Sequence, residues 1–176
     1  MVSKTIPVKS FDLVIFGATG DLSKRKIIPA LFRRFIAGQV PPTSRIIGVS
    51  RRDLSQSDFN ILVRNSISEF APNVIFTENQ INRFCKMLNF ISMDLGSDKG
   101  WDGLTEFFIK NSQEIRTFYL SISPALIESC TQRLNSFKLI TPQTRVVVEK
   151  PLGTDLASAT MLNKILCSVF KEKQIF

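Results

Sequence analysis

The stretch Phe11–Lys26, FDLVIFGATGDLSKRK, restricts the fold more than any other part of the chain. An apolar run (Leu13, Val14, Ile15, Phe16) ends at Gly17, a second glycine stands at Gly20, and a helical pattern carrying Lys24, Arg25 and Lys26 follows. A strand that is apolar on both faces belongs inside a sheet covered on both sides. A glycine turn passing straight into a helix N-terminus suits a pyrophosphate, because backbone N–H groups and the positive helix end point at the anion. The spacing G-x-x-G-x-x-S is a relative of G-x-G-x-x-G. In it Gly17 makes the sharp turn, Gly20 leaves room for the phosphates, and Ser23 is small enough for the helix to pack on the strand. No lysine followed by Ser or Thr stands where a P-loop needs one.

Strand-like and helix-like segments alternate along the whole chain. Strands are expected at Phe11–Phe16, Arg45–Ser50, Phe90–Met93, Arg116–Ser121 and Gln143–Glu149. Helices are expected near Leu22–Ala37, Ser57–Phe70, Glu78–Leu88, Trp101–Lys110, Pro124–Asn135 and Asp155–Phe170. This rhythm predicts an α/β domain: a Rossmann-like, doubly wound parallel sheet with helices on both faces. Residues 1–176 form one domain, with 1–10 as an N-terminal tail, and a chain of this length buries roughly 70% of its unfolded surface. Pro29 falls early in the first helix, where its missing N–H matters least, and predicts a local kink.

Several function classes fit poorly. The net charge of +8 invites nucleic acid, but the basic residues are dispersed and the densest cluster, Lys24–Lys26, adjoins the glycine turn. One tyrosine and one tryptophan offer little for base stacking, and most of the 15 phenylalanines lie in apolar patterns that read as core. No run of about 18 apolar residues predicts a membrane span. The N-terminus, MVSKTIPVKSF, has neither the apolar core nor the cleavage site of a secretory signal. Cys85, Cys130 and Cys167 are odd in number and far apart, which suits buried thiols in a reducing cytoplasm and no metal site.

Two strand ends carry further chemistry. RIIGVS ends at Arg51-Arg52, where an acidic residue would bond the ribose 2′-hydroxyl of NAD. Arginine there favours the 2′-phosphate of NADP through charge-assisted bonds, and Asp53 comes too late to take the NAD role. VVVEKPLG (Val146–Gly153) delivers Glu149-Lys150-Pro151 to the carboxyl edge of the sheet, where ligands bind in open parallel sheets. Lys150 can there meet a sugar hydroxyl, a phosphate or the nicotinamide ribose, and the bond to Pro151 is a candidate for cis.

GATGDLSKRK, GVSRR, FYLSISP (Phe118–Pro124) and EKPLG occur in that order, and together they resemble the coenzyme domain of the glucose-6-phosphate 1-dehydrogenase family, which opens the pentose phosphate pathway. The resemblance runs from about Phe11 to Phe176; its small departure is Ser23, where the family more often has alanine. It implies NADP as cofactor, with Gly17, Thr19, Gly20, Asp21, Leu22, Ser23 and Lys24 around pyrophosphate and ribose, and Lys26 a weaker candidate. It implies Arg51 on the 2′-phosphate with Arg52 assisting or flanking, and Asp94, Leu95 and Tyr119 beside the coenzyme. Lys150 would bridge coenzyme and glucose 6-phosphate.

In that family a sequence like KQIF is followed by RIDHYLGKE, which binds the substrate phosphate, and by a second domain with the catalytic histidine. This chain has no histidine. The expectation is therefore NADP binding without turnover by these residues alone. Oligomeric state stays open, because the family's self-association surface is expected mainly in the second domain. Two other readings remain at this point. One is a non-catalytic coenzyme-binding fragment of an interrupted gene. The other is a dehydrogenase resembling glucose–fructose oxidoreductase, whose first turn is usually G-x-G-x-x-G.

Overall fold

The computed structural model describes residues 8–110, 115–149 and 155–176. Five strands, β1 (Phe11–Phe16), β2 (Arg45–Ser50), β3 (Leu88–Ser92), β4 (Ile115–Leu120) and β5 (Arg145–Val148), form one sheet in the order β3-β2-β1-β4-β5. Every pairing is parallel. Beyond β5, Ile175 and Phe176 lie parallel to it, with Phe176 N–H donating to Val146 O at 2.9 Å. Chain direction from β1 runs outward through β2 and β3, then returns to β4 on the other side. The order therefore reverses between β1 and β4, and a crevice opens there at the carboxyl edge.

The alternation of side chains along β1 explains why its sequence is apolar throughout. Leu13 and Ile15 point to one layer, with Phe32, Phe59, Val63, Ile67, Ile81 and Phe84. Val14 and Phe16 point to the other, with Trp101, Leu104, Phe108, Ile127, Leu134 and Leu166. The first layer is built by α1 (Ile28–Ile36), α2 (Gln56–Phe70) and α3 (Glu78–Cys85); the second by α4 (Trp101–Lys110), α5 (Pro124–Ser136) and α6 (Leu156–Val169). Capping boxes start three of them: Ser55 with Asp58, Thr77 with Gln80, and Asp155 with Ser158. At the amino edge Asp12 is fully buried and takes both Nε and Nη2 of Arg45, its register partner on β2, each at 2.7 Å.

Three expectations need adjustment. The first helix begins at Asp21 and passes through a widened π turn, Ser23–Ile27, instead of a simple kink before Pro29. A proline ring collides with the carbonyl four residues back, and the wider turn makes room for it. β3 begins at Leu88, where the buried apolar pattern continues past the end of α3. Cys167 is exposed on the outer side of α6, whereas Cys85 and Cys130 are buried. Burial pushes the Cys130 thiol far up, so it stays protonated and acts as a small apolar core residue. No helix among the described residues is long and apolar enough to cross a membrane.

Ser23 is fully buried, and its Oγ has no hydrogen-bond partner among the described residues. An orphaned buried hydroxyl is destabilising, so Ser23→Ala is expected to raise unfolding stability by about 1 kcal/mol. Urea denaturation checks it; a lower midpoint for the variant would mean that the hydroxyl is satisfied.

Candidate coenzyme cleft

The crevice at the strand-order reversal is a cleft of about 560 Å³. Four strand ends supply its walls: Gly17, Thr19 and Gly20 after β1; Ser50 at the end of β2 with Arg51 and Arg52 after it; Met93, Asp94 and Leu95 after β3; Ser121, Ile122 and Ser123 after β4. Gly17 has φ +85°, and a Cβ there would lie 2.1 Å from Ser121 O. The turn after β1 is thus pressed against the loop after β4, which no other residue allows. Gly17 and Ala18 N–H both donate to Val49 O, at 2.9 and 3.0 Å, while Gly20 N–H closes the turn onto Gly17 O at 2.9 Å. A Cβ on Gly20 would meet Gly17 O at 3.1 Å, tighter than ordinary contact, so glycine here lets the turn close and leaves the space beside it open.

Electrostatics favour an anion. The helix starting at Asp21 and α5, with Ser123 as its N-cap and Pro124 at its first turn, both begin beside the cleft. The first turn of a helix carries partial positive charge, although in α5 Pro124 has no N–H and Leu126 N–H is taken by Ser123 O at 3.0 Å. Arg51 and Arg52 add full charges, and neither has an ion-pair partner among the described residues. Asp94 is engaged by its own loop: Oδ1 accepts from Gly96 N–H and Oδ2 from Ser97 Oγ, both at 3.0 Å. The Gly96 N–H, then Ser97, hold its carboxyl below the usual range.

The other expected site residues are distributed around this cleft. Leu95 lines the cleft and is buried in the core, its carbonyl accepting from Ser129 Oγ of α5. Asp21 and Leu22 are exposed at the helix start, Asp21 lying 4.0 Å from Arg25 in a solvated pair. Ser23 is packed behind the turn, and Lys24 and Lys26 continue along the helix without lining the cleft. Tyr119 packs toward the Leu13 and Ile15 layer, and its hydroxyl donates to Glu149 Oε1 at the end of β5. Burial, and then the Glu149 carboxylate, push the Tyr119 phenol up to about 12, so it remains a donor at neutral pH. Lys150 and Pro151 lie outside the described residues.

Sequence reasoning passed over several cleft residues. Ser121, Ile122 and Ser123 stood in a recognised segment without a role, although a strand ending just before Pro124 marks a carboxyl-edge loop. Gly48 was also missed. It lies within β2, where a Cβ would sit 2.4 Å from the Phe59 ring and 3.0 Å from Ala18 Cβ, so its absence lets α2 and the glycine turn close on the strand.

A parallel sheet of this order, with a glycine turn into a helix at its reversal point, is the architecture of dinucleotide-binding domains. The sequence model described as "Glucose-6-phosphate dehydrogenase, NAD binding domain" matches residues 14–176, and the chain belongs to that family. It is 42% identical over 176 residues to the glucose-6-phosphate 1-dehydrogenase of Rhizobium meliloti, covering all of this chain and 36% of that protein. The Gluconobacter oxydans protein of the same name is 40% identical over 172 residues, covering 96% and 35%. Among solved structures, glucose-6-phosphate 1-dehydrogenase from Mycobacterium avium superposes with a TM-score of 0.85 at 31% identity, over 96% of this chain and 35% of that one. A glucose-6-phosphate dehydrogenase in complex with its substrate glucose-6-phosphate gives 0.82 at 33% identity, over 99% and 37%. The chain spans about a third of the length of the relatives it matches.

Proposed function

We propose that this chain binds NADP across the carboxyl edge of its sheet and is the coenzyme-binding domain of a glucose-6-phosphate dehydrogenase. The observation that carries this is the meeting, in one cleft, of the Gly17–Gly20 turn, two helix starts and Arg51. In this reading the turn from Gly17 through Leu22 faces the pyrophosphate and Arg51 faces the 2′-phosphate. Asp94 and Leu95 flank the coenzyme, and Lys150 reaches both coenzyme and sugar. When bound, the nicotinamide accepts the hydride removed from the sugar. Within a complete enzyme of this family the reaction served would be glucose 6-phosphate and NADP to 6-phosphogluconolactone and NADPH.

The same reading holds that these 176 residues do not turn over by themselves. Removing the proton of the C1 hydroxyl calls for a base tuned near neutrality, and the chain has no histidine. Asp94, the carboxylate of the cleft, is held low by Gly96 and Ser97 and accepts a proton poorly. Titration calorimetry should therefore show NADP binding tighter than NAD, while NADPH absorbance stays flat with glucose 6-phosphate present. Absence of NADP binding would overturn the coenzyme assignment, and steady NADPH production would overturn the inactivity.

A further inference from the structure

A smaller hollow of about 210 Å³ is lined by Arg51, Ser92, Met93, Asp94 and Lys99. Arg51, Met93 and Asp94 also line the main cleft, so the two spaces adjoin. Lys99 comes from the loop between β3 and α4, and its backbone is closely held. Its carbonyl accepts from Asp94 N–H at 3.0 Å, and Gly100, next in the chain, has φ +89°, where a Cβ would lie 2.4 Å from Ser92 O. The outer part of the loop is tied to α5 by Arg133, which donates to Asp98 Oδ1 at 2.9 Å and to Gly96 O at 3.1 Å. Trp101 Nε1 donates to Asp94 O at 3.2 Å and pins the inner part to the core. The Lys99 side chain therefore leaves from a set position above the end of β3.

The charges in the hollow are unbalanced. Neither Arg51 nor Lys99 has an ion-pair partner among the described residues. Asp94 brings one negative charge, which Arg51 feels, and its carboxylate accepts from Gly96 N–H and Ser97 Oγ; two cations thus face one anion, and the hollow keeps a net positive charge. Two cations in one small space repel each other, and a dianion between them relieves that repulsion. The Gly17–Gly20 turn does not line this hollow, so the anion it suits is distinct from the pyrophosphate. Resting on the coenzyme assignment above, we propose that Lys99 is a second specificity-determining cation for the ribose 2′-phosphate. It faces that group from the β3–α4 loop while Arg51 faces it from the end of β2.

Calorimetry on the full 176-residue chain tests this, with NADP and NAD as one ligand pair and adenosine 2′,5′-bisphosphate and adenosine 5′-monophosphate as the other. Each pair differs only by the 2′-phosphate. Lys99→Ala is expected to weaken NADP and the bisphosphate about five- to tenfold, the range of a partly exposed charge-assisted contact, and to leave NAD and the monophosphate unchanged. Lys99→Arg should restore the preference. Unchanged NADP binding in Lys99→Ala, alongside a loss in Arg51→Ala, would overturn the role of Lys99 and leave the coenzyme assignment standing. An equal loss for NADP and NAD would overturn it as well. A wild-type chain that does not distinguish the members of either pair would overturn both.

Discussion

Alanine at Gly17 is expected to destabilise the protein by about 3–4 kcal/mol, whereas alanine at Gly38 should cost about 1 kcal/mol. Both glycines have positive φ, +85° and +70°, so both variants carry the strain of a left-handed L-residue. They differ in what the new methyl group meets. At Gly17 it lies 2.1 Å from Ser121 O and 3.0 Å from Ser121 C, both backbone atoms; at Gly38 nothing lies within 4 Å. The difference between the two variants therefore isolates the contact between the loops after β1 and β4, free of the dihedral term. Urea unfolding of both proteins measures it. Equal losses would show that the Ser121 loop yields easily and that this contact does not set the width of the cleft. A large loss at Gly17 should be matched by a loss of NADP affinity, because the same contact places the turn at the crevice.

Arg51→Ala is expected to weaken NADP binding about 30- to 100-fold, the scale of a lost charge-assisted hydrogen bond to a dianion, while NAD affinity changes less than about twofold. The asymmetry follows from position. Arg51 stands one residue beyond β2 and lines the cleft, and in the proposed assignment it faces the 2′-phosphate, which NAD lacks. Arg52 lines the same cleft, and its backbone N–H is held by Ser50 Oγ at 3.2 Å, which fixes the turn carrying both arginines. Competitive titration with the two coenzymes decides the matter. Equal losses for NAD and NADP would count against the 2′-phosphate role of Arg51.

Much of this molecule was legible in its residues. The bounds of β1, β2 and α4 follow directly from apolar runs and their punctuation by Gly17, Arg51 and Lys110. The ends of α3 and β3 were less clear, because Met87 and Leu88 are apolar and buried and fit either element. Within the site, Gly17, Gly20 and Arg51 could be found by the chemistry their spacing offers a phosphate. Ser121, Ile122 and Ser123 could not, since serines and an isoleucine after a strand announce no ligand. Lys99 gave no signal at all, being one exposed lysine among 23 basic residues.

Local pattern alone therefore determined the class of fold, the alternation of elements and the glycine turn. Periodicity states which residues share a face, and glycine states where the backbone must bend, and both are properties of neighbouring residues. The order β3-β2-β1-β4-β5 was decided only by the tertiary structure, through pairings such as Val14 with Phe118 that join residues far apart in the chain. That order is what brings Ser121 against Gly17 and sets Lys99 beside Arg51. The site is made of four strand ends, and long-range packing selects which ends meet.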